Sequence, residues 1–175
     1  MRNCERPKLD YPDQMVFDLD PAGNNFEAVK AAAHSLKKLL DRLGPPAYLK
    51  TTGSRGLHVA VPLERTEVFD SVRAFSRQLA RIVVSEEPSQ RTLAQRKNMR
   101  GDRVFVDTNR NAYAQTVAPA YAVRARPGAP VSVPLDGTTL AKKAFGPMRT
   151  RFGVYSTGWK RSGIPGRIFG GAELR

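Results

Sequence analysis

The sequence predicts an α+β domain of the split β-α-β, ferredoxin-like type, in which helices cover one face of an antiparallel sheet. Two segments carry apolar residues every three or four positions, as amphipathic helices do. Four short segments show the alternation or the apolar runs of strands, and the order of all six is β-α-β-β-α-β. In a sheet of that order the first and third strands are central, and the last lies beside the first.

The first strand is expected over residues 15–20, after a polar lead-in. Residues 21–25 break the chain and offer an asparagine N-cap. A helix then begins at Phe26 and ends at Gly44, since a glycine followed by two prolines is typical of a helix terminus. Its apolar stripe consists of Phe26, Val29, Ala33, Leu36, Leu40 and Leu43.

Residues 47–51 and 57–63 predict two strands joined by a tight turn over 52–56. Apolar residues of the second strand alternate on one face, which places His58 on the opposite, exposed side. The other helix is expected from Glu67 into the eighties, with a stripe of Val68, Val72, Phe75, Leu79 and Ile82.

Residues 89–100 predict one or two more helical turns rich in Arg and Lys. A strand follows over 103–107, and another, bent at Pro119, is expected over 116–126. Periodicity fades after about residue 135. We therefore expect a core over residues 1–136 and an irregular basic tail over 137–175.

The composition of the chain limits the classes of molecule that it is expected to bind. The chain has 175 residues with 29 Lys and Arg against 16 Asp and Glu, a net charge of +13. Such a charge serves solubility or favours a polyanion such as nucleic acid or nucleotide. The single cysteine, Cys4, excludes an intrachain disulfide and a cysteine zinc cluster. No apolar run reaches membrane-spanning length, so we expect a cytoplasmic protein without a membrane partner.

Asp18 and Asp20 are the first candidate site. Strand periodicity puts both on one face, about 6.6 Å apart along the strand. Two like charges side by side need a cation, and a divalent metal is the usual one. Asp107 ends the strand predicted to lie beside them, so it completes a three-carboxylate cluster. The alternative is that Asp18 or Asp20 is only a cap or turn residue before Pro21.

The turn before His58 is the second candidate. Its glycines let backbone N–H groups converge on an anion, and Thr52, Ser54 and Arg55 add donors. Beside His58 it predicts a phosphate cradle. A plain hairpin turn and a structural histidine are the alternatives. His34 lies off its helix stripe and is expected in solvent.

Arginines supply the third candidate, since the guanidinium fork grips phosphate. Arg124 and Arg126 share a strand face if the strand continues, and Arg100 ends a basic stretch that begins at Arg91. For residues 91–97 a solvated basic face is the simpler interpretation.

Four ordered segments together resemble the polymerase domain of bacterial DNA ligase D, of the archaeo-eukaryotic primase superfamily. They are residues 16–21, 50–58, 103–107, and 117–119 with 123–130. The likeness covers residues 10–136, and the superfamily's RRM-like catalytic sheet agrees with the fold predicted above.

This resemblance implies a metal-dependent nucleotidyltransferase that adds nucleotides to a DNA 3′-hydroxyl in non-homologous end joining. It implies two divalent ions, Mn²⁺ or Mg²⁺, on Asp18, Asp20 and Asp107. The implied partners are DNA ends or a primer-template, an NTP or dNTP, Ku and a DNA ligase, in the bacterial cytoplasm. The predicted nucleotide-binding residues are Thr52, Ser54, Arg55, His58, Arg100, Arg124 and Arg126.

Some features depart from the family. Relatives carry a long segment before the Asp-x-Asp strand, with base contacts and a 5′-phosphate pocket, and we expect this chain to lack it. Arg55 replaces a common lysine, Thr108 replaces a common tryptophan, and residues 146–175 show no likeness. The alternatives are therefore an inactive remnant, an RRM-like nucleic-acid-binding module, or a metal-dependent nuclease. An RRM stacks bases on aromatic residues where this chain has aspartates, and a nuclease needs no triphosphate cradle.

Overall fold

A computed structural model of the chain describes residues 8–135. Its strands are β1 (Gln14–Asp20), β2 (Tyr48–Thr51), β3 (Leu57–Pro62), β4 (Arg91–Thr92), β5 (Val104–Asp107) and β6 (Pro134–Leu135). Its helices are α1 (Phe26–Leu43) and α2 (Phe69–Glu86), with short 3₁₀ turns at Lys97–Met99 and Asn109–Asn111. Neither α-helix in this part of the chain is long and apolar enough to cross a membrane. The tail proposed for residues 137–175 lies outside the described residues.

The sheet confirms the predicted α+β topology and adds an edge strand at each side. Its strand order is β4-β5-β1-β3-β2-β6. The four predicted strands, β5-β1-β3-β2, pair antiparallel with β1 and β3 in the centre. The sheet is nevertheless mixed, because β4 joins β5 in parallel. The expectation of a wholly antiparallel sheet was wrong at that edge alone.

Helix α1 begins and ends as its sequence indicates. The Asn25 side chain accepts the backbone N–H of Ala28 at 3.1 Å, which caps the first turn. Gly44 adopts the left-handed conformation with φ of 97°, and its N–H donates to Leu40 O at 2.9 Å. These two caps fix the length of the helix that covers the sheet.

The hydrophobic core lies between the helices and one face of the sheet. Odd-numbered residues of β1 and β3 and even-numbered residues of β5 point into it. It includes Met15, Phe17, Leu19, Leu57, Val59, Val61, Val104 and Val106 from the strands, with Val29, Leu36, Leu40, Val72, Leu79 and Val83 among those from the helices. The alternate residues of the same strands project to the opposite side of the sheet, here called the carboxylate face.

The apolar stripe predicted for α2 is rotated in the structure. Val68, Phe75 and Ile82 are 42%, 48% and 45% exposed. The residues that α2 buries are Val72, Ser76, Leu79, Ala80 and Val83. Ser76 and Ala80 belong to the buried face although one is polar and the other small, so an apolar pattern does not reveal them. Val68, Phe75 and Ile82 recur every seven residues and therefore resemble an apolar stripe, although they are exposed.

Two predictions beyond α2 need correction. One or two helical turns were expected within residues 89–100, and the structure has one 3₁₀ turn at Lys97–Met99 together with the short strand β4. Residues 116–126 form no strand, although Val123 makes an isolated bridge to Val131. Pro119 lies within this stretch and Pro127 directly follows it, and proline has no N–H for a ladder. The segment instead contacts Lys50 on the carboxylate face through Ala118 O, and the chain returns to β2 through β6.

Candidate functional site

A row of four cross-strand partners crosses the centre of the carboxylate face. Asp107 on β5 pairs with Asp18 on β1. Asp18 also pairs with His58 on β3, which in turn pairs with Lys50 on β2. Directly paired residues project to the same side, so these side chains are neighbours. Asp20 lies two positions after Asp18 and shares the face.

The paired carboxylates are turned toward different partners. Asp18 Oδ1 is 3.4 Å from His58 Nε2, and its Oδ2 is 3.8 Å from Arg110 Nε. Asp107 Oδ1 instead accepts the backbone N–H of Asn109 at 2.8 Å. The position of Asp107 beside Asp18 was therefore predicted correctly from the sequence. The directions in which the two carboxylates point could be learned only from the structure.

The ionised form of the Asp20 carboxylate is destabilised by its surroundings. Burial raises the pKa of Asp20, and the neighbouring Asp18 carboxylate raises that pKa further. The cations of Arg55, Arg100 and Lys97 oppose the rise. Arg100 Nη1 lies 4.0 Å from Asp20 Oδ2, and its guanidinium stacks over the Phe105 ring. A raised carboxylate pKa means that the ionised form is disfavoured, so further positive charge would stabilise it.

The three aspartates suit a hard divalent cation in residue type. Carboxylate oxygens are the ligands that Mg²⁺ and Mn²⁺ prefer, and the sheet register brings all three to one face. Within residues 8–135, however, no group of three or more His, Cys, Asp or Glu side chains is placed to hold a metal ion. The donor set therefore fits such a cation in ligand type, while Asp18 and Asp107 are engaged with other partners.

The turn between β2 and β3 is held by one hydroxyl. Thr52 Oγ1 accepts the N–H groups of Ser54 at 3.2 Å and Gly56 at 3.3 Å, and it donates to Gly56 O. Two of the backbone donors expected to face a phosphate are therefore engaged within the turn. Ser54 is half-buried and Arg55 is exposed, which leaves both at the surface of the turn.

The glycines of this turn are needed for close approach. A Cβ on Gly56 would lie 2.4 Å from Leu19 O on β1, so the turn packs against that strand. Gly53 has φ of 67°, and a Cβ there would lie 2.7 Å from Arg124 Cγ. The second contact shows that the Arg124 side chain lies over the turn.

His58 is buried, not exposed as the alternation suggested, with 4% of its surface accessible. The segment after β5 covers this part of the carboxylate face. Lys50 connects His58 to this segment, since its Nζ lies 2.7 Å from His58 Nδ1 and donates to Ala118 O. Burial lowers the pKa of Lys50 to about 8; Asp18 opposes the shift and Arg124 adds to it.

The other predicted arginines divide into two groups. Arg55, Arg100 and Arg124 act electrostatically on Asp20 or Lys50, so they surround the row. Arg126 is exposed in a turn where its backbone N–H donates to Arg124 O, and within the described residues it forms no ion pair with the aspartates.

Arg91 is structural, which corrects the interpretation of residues 91–97 as a solvated basic face at that position, whereas Arg96 and Lys97 are exposed as expected. It is 2% exposed, donates to Val83 O, and pairs with Glu86 at 3.5 Å and Glu87 at 3.1 Å. These contacts tie the end of α2 to β4.

Sequence reasoning missed Asn111 and did not single out Lys50 or Arg110. The side-chain amide of Asn111 accepts a hydrogen bond from the Val16 N–H at 2.7 Å and donates one to the Val16 carbonyl at 2.8 Å, as the backbone of a neighbouring strand would. It therefore fixes β1 just before the carboxylates. A buried asparagine in a loop has no sequence signal, whereas Lys50 could have been found from strand alternation, since it faces the same side as His58.

The described residues thus form a split β-α-β domain whose carboxylate face gathers acids, a buried histidine and arginines. Residues 1–152 match the LigD primase-polymerase domain family, and the chain belongs to that family. The match extends beyond the residues 10–136 on which the resemblance rested.

Relatives named as LigD are similar to most of this chain. The multifunctional non-homologous end joining protein LigD of Pseudomonas aeruginosa is 37% identical over 134 residues, which cover 76% of this chain and 16% of that protein. The bifunctional non-homologous end joining protein LigD of Bacillus subtilis is 28% identical over 126 residues, 71% of this chain and 21% of that protein. The chain thus spans about a fifth or less of these curated relatives.

A solved structure has the same fold. It is the polymerase domain from Mycobacterium tuberculosis ligase D in complex with DNA, with a TM-score of 0.73 and 27% identity. The match covers 77% of this chain and 47% of that domain.

Proposed function

We propose that this chain acts as a metal-dependent nucleotidyltransferase that adds ribo- or deoxyribonucleotides to a DNA 3′-hydroxyl in end-joining repair. The observation that carries the proposal is the pairing of Asp107 with Asp18, next to His58, in a chain of the LigD primase-polymerase family. Acids from two adjacent strands beside cationic side chains suit a phosphate substrate that arrives with a divalent ion.

DNA is the polymer that we propose as substrate. A net charge of +13 favours a polyanion, and the similar ligase D polymerase domain was solved in complex with DNA. DNA ends or a primer-template would meet the carboxylate face, because the helices occupy the other side of the sheet. Ku and a DNA ligase are the protein partners that this role predicts.

Asp18, Asp20 and Asp107 would hold the divalent ions, Mn²⁺ or Mg²⁺. Such ions neutralise a triphosphate and ease deprotonation of the attacking hydroxyl. The chain supplies the placement: the β1–β5 register sets Asp18 against Asp107, and Asn111 fixes β1 through Val16.

Cations around this row would bind the triphosphate of the incoming NTP or dNTP. His58 Nε2 lies at the site beside Asp18, and Arg100 is held by Ala94 O and Gln95 O next to Asp20. Arg55 lies in the turn that Thr52 closes, and Arg124 lies over that turn. Ser54 offers a further hydroxyl there, and Arg126 would act from its exposed turn.

Primer extension tests the proposal. The protein is incubated with Mn²⁺, a labelled primer-template and single nucleotides, and extension is compared for the parent, Asp18→Ala and Asp107→Ala. We expect each variant to lose at least about a hundredfold in rate, since a metal's charge stabilisation is worth several kcal/mol. Asp102→Ala, in an exposed turn before β5, is the matched control and should extend as the parent does. Equal extension by parent and Asp18→Ala would contradict the proposal.

A nucleic-acid-binding module without turnover is the second candidate. The observation favouring it is that no three acidic or histidine side chains of residues 8–135 are placed together for a metal. It predicts salt-sensitive DNA binding by the parent with no extension under any nucleotide or metal. Extension by the parent separates the two functions, and binding measured in the same samples is the control, because Asp18→Ala should leave binding intact under either.

A further inference from the structure

Lys50 and His58 form a contact that the predicted site does not use. They are cross-strand partners on β2 and β3. Lys50 Nζ is 2.7 Å from His58 Nδ1, and it also donates to Ala118 O. The histidine is 4% exposed, so solvent does not compete with the lysine for Nδ1.

The chemistry of the two groups decides which ring nitrogen carries the proton. An ammonium has three N–H donors and no acceptor, so a nitrogen 2.7 Å away must offer a lone pair. Below pH 8 Lys50 is mainly an ammonium, because its pKa is about 8. A neutral imidazole with an accepting Nδ1 carries its hydrogen on Nε2.

The other ring nitrogen faces the carboxylates. His58 Nε2 lies 3.4 Å from Asp18 Oδ1, at the centre of the row. A hydrogen on Nε2 makes this nitrogen a donor toward an acceptor-only anion, either a carboxylate or a phosphate oxygen. A lone pair on Nε2 would repel the same anion.

We propose that Lys50 is a positioning residue that locks His58 in the Nε2–H tautomer, so that a buried neutral histidine presents a donor to an anion at the site. The tautomer follows from the contacts, whereas the identity of the anion as a nucleotide triphosphate rests on the proposed function. Lys50 acts from behind the ring and need not touch the substrate.

NMR of the ring nitrogens tests the tautomer without nucleotide, metal or DNA. The chain has two histidines, and His34 is exposed on α1, so each spectrum contains a solvent-exposed reference. At pH 7 we expect the parent to show His58 protonated on Nε2 alone. Lys50→Arg keeps donors and should preserve that pattern, whereas Lys50→Met should give mixed tautomers or protonation on Nδ1. Lys38→Met, an exposed lysine on α1, is the control and should not change His58.

A parent spectrum with the hydrogen of His58 on Nδ1 would overturn the proposal, and it needs no variant to fold. An unchanged His58 pattern in folded Lys50→Met would overturn the role of Lys50. Absence of primer extension by the parent would contradict the proposed function without contradicting the proposed tautomer, so the two failures are distinguishable.

Nucleotide kinetics then test the role in the site. If the donor serves a triphosphate, Lys50→Met should raise the nucleotide KM about tenfold with a smaller effect on kcat, and Lys50→Arg should restore most of the loss. A KM equal to that of the parent would show that the locked tautomer does not serve the nucleotide.

Discussion

Asp18 and Asp107 are direct cross-strand partners on β1 and β5, although two helices and three strands separate them in the chain. Their pairing, with Asp20 on the same face, concentrates negative charge at the middle of the sheet. Natural proteins keep such arrangements where function requires them, at a cost in stability.

Replacing Asp20 with asparagine should stabilise the metal-free protein at neutral pH. Its pKa is raised by burial and by Asp18, so the folded state binds a proton more readily than the unfolded state. Ionised Asp20 therefore costs stability, and that cost grows as pH rises from the ordinary carboxyl pKa through the raised one. Thermal melts from pH 3 to 7 in chelator should show Asp20→Asn gaining stability over the parent as pH rises. Asp41→Asn, at an exposed position on α1, is the control and should show no such gain in stability. A lower melting temperature for Asp20→Asn than for the parent at pH 7 would contradict this account.

Lys50 should make stability rise with pH on the alkaline side. Its folded pKa of about 8 lies below the ordinary 10.5, so the unfolded state binds more protons between these values. The cost of burying the ammonium is full below pH 8 and is lost as pH rises toward 10.5. Urea unfolding at several pH values should show this gain in the parent and not in Lys50→Met. Lys38→Met should retain the gain of the parent.

Gly56→Ala should destabilise the fold by about 1–3 kcal/mol. The new Cβ would lie 2.4 Å from Leu19 O, and a backbone carbonyl in the central strand cannot move aside. Gly23→Ala is the control, because a Cβ there meets nothing within 4 Å and surface changes of that kind stay within about 0.5 kcal/mol. Urea unfolding measures both, and equal stabilities would show that β1 and the turn are not packed as described.

Leu79→Ala should cost about 2–5 kcal/mol, since it empties a buried position of α2. Phe75→Ala should cost less than about 1 kcal/mol even though it removes a larger side chain, because Phe75 is 48% exposed. The same denaturant titrations compare the two. A larger loss for Phe75→Ala would favour the stripe predicted from the sequence over the observed one.

Much of the fold could be predicted because local patterns and burial agree. Helix α1 has its cap at Asn25, its terminal glycine at Gly44 and a regular stripe between them. Helix α2 has no such agreement: Ser76 is buried because its hydroxyl bonds Arg73 O and Asn111, and apolar residues elsewhere on the helix remain in solvent. Ala118 and Val133 accept hydrogen bonds from Lys50 and Thr51 of β2, and no local pattern of the sequence encodes such distant contacts.

The amino-acid sequence by itself determined the strand and helix order, the common face of Asp18 and Asp20, and the nearness of Asp107, because side-chain periodicity and split β-α-β topology are properties of pattern. Only the tertiary structure decided that His58 is buried against Lys50, that Arg91 is structural, and that Asn111 holds β1. Those outcomes depend on which distant backbone groups and charges meet in space, and burial of a polar side chain is favourable only where such a partner is supplied.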